Sequence, residues 1–299
     1  MKTLTKTAVL LTSVFAAGAA AAEVDLKQSA QGLEPLVGLH YEGWHIIDGS
    51  AVSTGRWNIT NDGAVIEVNA AGEKTGTLGT ADRFFSRVSD AHLDAATYVL
   101  TIEPNGDTDA GPSATHIVAG NYANGAADAT VDHPGAINTD FADVAGGFIL
   151  AAPTGGEMNQ GIWFLNKETG EAHFDLPALP AGWNYEGWVV DTGMGKPIST
   201  GVFHEVGPDS DGAGAYAGDN ADMFPPVPGQ DFVNGMPLDL DNGNFIAVLS
   251  VEPANDPDPA PFAIKILASD VITGDGILNQ TNAPLPTLRA SMTQIAMSN

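Results

Sequence analysis

The chain contains no cysteine. That excludes disulfides, thiolate nucleophiles, thiolate metal sites and a lipid-modified N-terminal cysteine, so stability must come from burial and backbone pairing. Cations are scarce. Eleven Lys and Arg stand against 37 Asp and Glu, a net charge of −26. A field of that sign repels phosphate backbones and anionic lipid surfaces, which predicts no nucleic-acid partner and no membrane insertion. Beyond the first residues there is no apolar run long enough to span a bilayer, and no long window has a clean helical period. The Gly-x-Ser-x-Gly elbow, the Walker loop and the dinucleotide fingerprint are all missing, so neither phosphate cradling nor nucleophilic catalysis has motif support. The seven histidines (His40, His45, His92, His116, His133, His173 and His204) are scattered without metal-ligand spacing.

Residues 1–22 read as a secretory signal peptide. Lys2 and Lys6 precede the apolar "AVLLTSVFAAGAA", and Ala20–Ala22 form a small-residue cleavage site before Glu23. The expected location is periplasmic or secreted. Loss of the two lysines takes the net charge from −26 to −28. Such a surface is well hydrated and suits saline surroundings; cation binding is the sharper alternative.

What is present is a repeat. Tyr41-Glu42-Gly43-Trp44 returns as Tyr185-Glu186-Gly187-Trp188, and Ser53-Thr54-Gly55 as Ser199-Thr200-Gly201, with a two-residue insertion in the intervening turn. Downstream, "YVLTIEPNGDTDAGPSATHIVAG" matches "IAVLSVEPANDPDPAPFAIKILAS", so that Glu103-Pro104 falls on Glu252-Pro253. The order is kept throughout, which reads as internal duplication. The first copy is expected over residues 23–145 and the second over 146–299, the Ala/Gly/Asp-rich stretch 119–145 connecting them.

The segments "YEGWHII", "YEGWVVD", "TYVLTIEP", "NFIAVLSVEP" and "FAIKILA" are short, rich in β-branched and aromatic residues, and bounded by Gly, Pro, Asn and Asp. With 35 glycines and 19 prolines as turn chemistry, the fold class is all-β. The predicted architecture is two tandem antiparallel β-sandwich domains, immunoglobulin-like, from the duplication.

Alternation in a strand puts Glu42 and Trp44 on one face and Tyr41 and Gly43 on the other. Trp44 and Trp188 are expected to pack between sheets. Glu42 and Glu186 are expected as part-buried carboxylates accepting hydrogen bonds from the turn, with Ser53 or Thr54 as donors. The same four residues, Glu42, Trp44, Glu186 and Trp188, are the candidate ligand-binding set. The acidic loops after each Glu-Pro make Asp107, Asp109, Asp256 and Asp258 candidate calcium ligands, and "DSDGAGAYAGDNAD" (Asp209–Asp222) is another such loop. None has the spacing of a recognised calcium loop. No cofactor other than calcium is implied, and no catalytic residue is identified.

The strand Tyr-Glu-x-Trp, a turn, Ser-x-Gly with an aromatic after it, and then a strand ending Val-Glu-Pro or Ile-Glu-Pro, together form a pattern. It is carried by Tyr41, Glu42, Trp44, Ser53, Gly55, Trp57, Glu103 and Pro104, and again by Tyr185, Glu186, Trp188, Ser199, Gly201, Phe203, Glu252 and Pro253. It resembles the extracellular C-terminal domain of the anti-sigma-K factor family over about half of each copy. The resemblance implies a β-sandwich and an envelope location. This chain departs from that family in having a cleavable signal in place of a cytoplasmic sigma-binding segment and a transmembrane helix. The expected function is an exported, non-catalytic binding or sensory module whose partner is a protein or small ligand of the envelope. The alternative is a calcium-stabilised adhesion or matrix protein.

Overall fold

The computed structural model describes residues 23–206, 227–233 and 237–295. Residues 1–22, where a signal peptide is expected, and the acidic loop Asp209–Asp222 lie outside the described residues. The all-β class holds. In chain order the strands are β1 (Glu23–Gln31), β2 (Leu39–Ile47), β3 (Ser50–Ile59), β4 (Ala64–Val68), β5 (Lys74–Thr80) and β6 (Arg83–Ser89), then a 3-10 turn at Asp90–Asp94, and β7 (Thr97–Pro104), β8 (His116–Ala123) and β9 (Ala126–Thr130). The second half holds β10 (Ala145–Leu150), β11 (Gly161–Trp163), β12 (Phe174–Asp175), β13 (Trp183–Asp191), β14 (Lys196–Phe203), β15 (Gly229–Asp231), β16 (Phe245–Pro253), β17 (Ile264–Ala268), β18 (Gly276–Gln280) and β19 (Thr287–Gln294).

The first unit does not divide into two facing sheets as a sandwich would. Its strands close in the order β1-β19-β9-β8-β7-β2-β3-β4-β5-β6, back to β1. The seal is β19, the last strand of the chain, which the boundary at residue 146 had placed with the second repeat. It pairs antiparallel with β1 from Val24↔Gln294 to Gln31↔Thr287, and with β9 from Thr287↔Thr130 to Ser291↔Ala126. Leu288 and Ala290 alternate inward and are buried, while Arg289 points out. Without β19 the unit would expose two sheet edges, and closure removes them. The second unit is a nine-stranded sheet, β14-β13-β16-β17-β18-β10-β11-β15 with β12 on β10, and its end strands β14 and β15 approach each other.

Alternation decides which residues fill the first unit. Tyr41, Trp57, Phe84, Tyr98 and Leu100 belong to the main core and are at most 1% exposed. Side chains of the second unit, such as Trp183, Tyr185 and Phe262, belong to the same apolar cluster. The units are also joined by hydrogen bonds: Trp183 Nε1 donates to the His116 carbonyl at 3.2 Å, and the Ala263 N–H to Glu34 Oε1 at 2.9 Å. Among the described residues no helix is long and apolar enough to cross a membrane.

Candidate functional site

The repeated residues form the same construction twice. β2 and β3 are in register from Tyr41↔Trp57 to Gly43↔Gly55, but Trp44 then pairs with Ser53, which leaves Thr54 as the extra residue of a β-bulge. In β13 and β14, Gly187 pairs with Gly201 and Trp188 with Ser199, leaving Thr200 extra. The bulge needs a glycine: Gly55 and Gly201 have φ of 117° and 113°. It also needs a glycine opposite, because a Cβ on Gly43 would lie 2.4 Å from Thr54 Oγ1, and one on Gly187 2.3 Å from Thr200 Oγ1.

The polar residues are matched as closely. Ser53 Oγ donates to Glu42, and Ser199 Oγ to Glu186. Trp44 Nε1 donates to Thr101 Oγ1 at 2.9 Å, and Trp188 Nε1 to Ser250 Oγ at 2.8 Å. Those hydroxyls donate in turn to Glu103 and Glu252, which also accept the backbone N–H of Ser113 and Phe262 at 2.9 and 2.8 Å. Trp44 is therefore not between sheets. It lies on the outer face of the first unit, in a small cluster with Val99, Ala119 and Ala136, because the inward positions of β2 are taken by Tyr41, Gly43 and His45. Trp44 and Trp188 are each 2% exposed, so neither offers a free ring to a ligand.

The copies differ in charge. Arg56 Nε lies 2.8 Å from Glu42 Oε2, whereas Val202 holds the corresponding place opposite Glu186. Burial raises the Glu186 carboxyl above its usual range, against the lowering effect of Ser199. Burial likewise raises Glu103, and it pushes Glu252 up to about 8, with Glu186 and Asp256 adding repulsion. At the seam between the units Glu34 is pushed up to about 7, first by burial, with Lys265 opposing and Asp256 and Asp258 adding.

The calcium candidates occupy turns. Asp107 Oδ1 accepts the Asp109 N–H at 2.8 Å, and Asp109 Oδ1 accepts that of Gly111 at 3.2 Å. Asp256 and Asp258 do the same for Asp258 and Ala260, at 2.8 and 3.0 Å. These are Asx turns, which use the carboxylate to fix the loop. Among the described residues no group of three or more His, Asp or Glu side chains is placed to hold a metal ion.

The sequence reading missed a break in the wall of the first unit. β3 pairs with β4 only over Trp57–Ile59, and β5 with β6 only at Gly79↔Phe84 and Thr80↔Arg83. Beyond those pairs Ser50–Arg56 and Phe85–Ser89 have no ladder partner on the sides that face each other, among the described residues, and there β3 and β6 approach each other directly. The gap is a cleft of about 560 Å³. Its outer rim carries Ser53, Arg56, Glu67 and Arg87; its floor carries Thr54, Ser86 and His92.

Behind that floor is a buried polar network. Gln28 Nε2 donates to Ser86 Oγ at 3.1 Å, and Tyr98 Oη donates to Gln28 Oε1 at 2.6 Å. His45 Nδ1 lies 2.9 Å from His92 Nδ1, and His45 Nε2 lies 2.8 Å from Tyr122 Oη. Two facing Nδ1 atoms require one donor and one acceptor, so the tautomers are linked. When His45 Nδ1–H donates, His45 Nε2 accepts from Tyr122 and His92 Nε2 carries a proton. When His92 Nδ1–H donates, His92 Nε2 is an acceptor. His92 lines the cleft, and Nε2 is the ring nitrogen left to it. Burial keeps both rings neutral, taking His45 down to about 3 and lowering His92. The floor can thus present either a donor or an acceptor without holding charge. In the sequence the place is marked by Arg56, next to the repeated Gly55 and replaced by Val202 in the other copy, and by His45, replaced by Val189. Compared with known proteins, the chain matches no family model, no curated sequence and no solved structure.

Proposed function

We propose that the protein is an exported, non-catalytic binding or sensory module of the cell envelope, built from a duplicated β unit in which the first copy holds the ligand. The matched bulges and Trp–hydroxyl–Glu chains support a common origin for the two units. The resemblance to anti-sigma factor extracellular domains agrees with that role. The observation that carries the binding reading is the break between β3 and β6, where a rim with two arginines and a polar floor meet in one cleft. The residues around it suit recognition better than turnover: His92 of the floor and His45 behind it are held neutral, no carboxylate or hydroxyl among the described residues is paired with His92 as a nucleophile, and both rim guanidiniums are tied to carboxylates.

The test is thermal unfolding against a library of sugars and peptides, since a ligand of the folded state must raise the midpoint. We expect hits in the wild type that are weakened in Arg87→Ala. If no compound raises the midpoint, the binding reading fails. Turnover of an ester, glycan or peptide that is abolished in His92→Gln would make the protein an enzyme and overturn the non-catalytic part.

A further inference from the structure

Two hydrogen-bond chains end at the floor of the cleft. In the first, Tyr98 Oη gives its proton to Gln28 Oε1 at 2.6 Å, and Gln28 Nε2 donates to Ser86 Oγ at 3.1 Å. Tyr98 Oη has no second proton, so its bond with Thr54 is donated by the Thr54 hydroxyl. Thr54 and Ser86 both line the cleft. With the bonds in this direction Thr54 spends its proton inward and keeps lone pairs for the cleft, while Ser86 accepts inward and keeps its proton. Turning the Gln28 amide over reverses every bond and exchanges the two ends. One end is therefore always a donor and the other always an acceptor. The second chain is the His45–His92 pair, which leaves His92 Nε2 as donor or acceptor according to which Nδ1 holds the proton.

A hydroxyl meets such a floor, because it donates and accepts. A carboxylate has no proton for the acceptor end, and an ammonium has no lone pair for the donor end. The rim agrees. Arg56 lies 2.8 Å from Glu42, and Arg87 lies 3.3 Å from Glu23 and 3.8 Å from Asp25, with Glu67 on the same rim. Donors and acceptors stand side by side there with no excess of positive charge, and the net charge of −26 opposes the entry of an anion. Leu78, Phe85 and Val88 add an apolar side, and the half-buried Phe85 ring is steadied by the Arg83 guanidinium at 5.2 Å. Where β4 and β5 do not separate them, β3 and β6 come within 8 Å, Cα to Cα. Neighbouring strands need about 4.8 Å each, so no backbone fits between them and the occupant is compact.

We propose that this cleft is a binding site for one ring of a neutral sugar, with hydroxyls on Thr54, Ser86 and His92, further hydroxyls on Arg56 and Arg87, and a C–H face toward Phe85. This rests on the binding-module reading and names its ligand class. The volume, about 560 Å³, lies within the usual range of small-molecule sites.

The test titrates glucose, galactose, mannose and xylose into the protein, with glucuronate and galacturonate as charged counterparts. Amide and histidine-ring resonances are followed by NMR together with the melting midpoint. Concentrated sugar raises the midpoint of any folded protein by exclusion from its surface, so the reading is a saturable shift at low millimolar concentration. At least one neutral sugar is expected to move the amides of Ser53–Arg56 and Phe85–Ser89 and to fix the His92 ring in one tautomer, and its uronate is expected to bind more weakly. Arg87 is exposed, so Arg87→Gln is expected to fold and to weaken the sugar about tenfold. Unchanged affinity in Arg87→Gln would overturn the part given to the rim. Tighter binding of the uronate would overturn the neutral assignment, and saturable shifts confined to other residues would overturn the site. If no sugar binds, the ligand class is wrong; the binding reading then stands only if another compound raises the midpoint, and falls with it if none does.

Discussion

Glu252→Gln isolates one buried carboxyl and gives a signed prediction for stability against pH. Glu252 is 3% exposed, and its Oε1 accepts from Ser250 Oγ and from the Phe262 N–H. Those donors favour the carboxylate, but burial outweighs them, and the nearby Glu186 and Asp256 add to it, so the group sits at about 8 instead of 4.5. Between those two values the folded protein holds a proton that the unfolded chain has released. The stability due to the neutral carboxyl is therefore complete below about pH 4.5 and is lost as the pH rises through about 8. At about 1.4 kcal/mol per unit the shift corresponds to an upper bound on the order of 4–5 kcal/mol, and sharing of protons with Glu186 and Asp256 reduces the part visible in one variant to about 2–3 kcal/mol. Glutamine keeps an acceptor for both donors and cannot ionise. Denaturant unfolding of wild type and Glu252→Gln from pH 5 to pH 9 should show the wild type falling more steeply, with the variant ahead at pH 9. Parallel curves would refute the reasoning, because they would mean that Glu252 is already ionised in the folded protein at pH 5. Glu34, raised to about 7, contributes in the same direction in both proteins and drops out of the comparison.

Three further outcomes follow from the geometry. Trp44→Ala should cost about 3–5 kcal/mol by denaturant unfolding, whereas Trp44→Phe, which removes the indole N–H from Thr101 while keeping a ring, should cost less, the lost hydrogen bond accounting for about 1 kcal/mol; equal costs would show that the buried ring contributes nothing beyond that bond. Gly187→Ala should destabilise by about 1–3 kcal/mol in the same assay, since the new Cβ would meet Thr200 Oγ1 at 2.3 Å and Phe164 Cε2 at 2.7 Å, both at buried residues; a wild-type midpoint would mean that the bulge relaxes freely. Truncation after Pro286 removes β19, exposes the edges of β1 and β9 and takes Leu288 and Ala290 from the core, so limited proteolysis should cut first within residues 23–130; first cuts in β13 or β16 instead would show that the barrel does not depend on its seal.

Much of the fold was legible because it is written locally. Short β-branched segments between turn residues identify strands, and the paired Tyr-Glu-Gly-Trp and Ser-Thr-Gly motifs identify two hairpins of the same design. Ser53 as donor to Glu42 follows from the turn connecting them. The parts that were not legible depend on partners remote in sequence. Closure by β19 joins Val24 to Gln294, and no local pattern announces that pairing. The side of the sheet on which Trp44 lies is not legible either. Alternation alone separates Trp44 from Tyr41 without saying which face is interior; that is settled by Thr54 and Tyr98, which crowd the inward side of Gly43.

The same distinction explains why the cleft is not written in the repeat. Residues common to both copies are those that any such hairpin requires: a glycine at positive φ in the bulge, a glycine opposite it, a serine for the glutamate, and a hydroxyl for the indole. A role shared by both copies can only be one that both environments permit, and here it is structural. A role particular to one copy must instead appear where the copies differ. Arg56 against Val202 is such a difference. It adds a charge at the rim of an opening, on the one strand of the hairpin whose outer edge is unpaired. His45 against Val189 is a second: at the matching place in β13 the second unit buries an apolar side chain, and in β2 the first unit buries a ring that reaches His92. Both differences converge on the same break in the same wall. A part-buried cation and a buried pair of imidazoles around one gap each cost desolvation that valine avoids. The departures from the repeat, more than the repeat itself, therefore mark the cleft on which the proposed binding role rests.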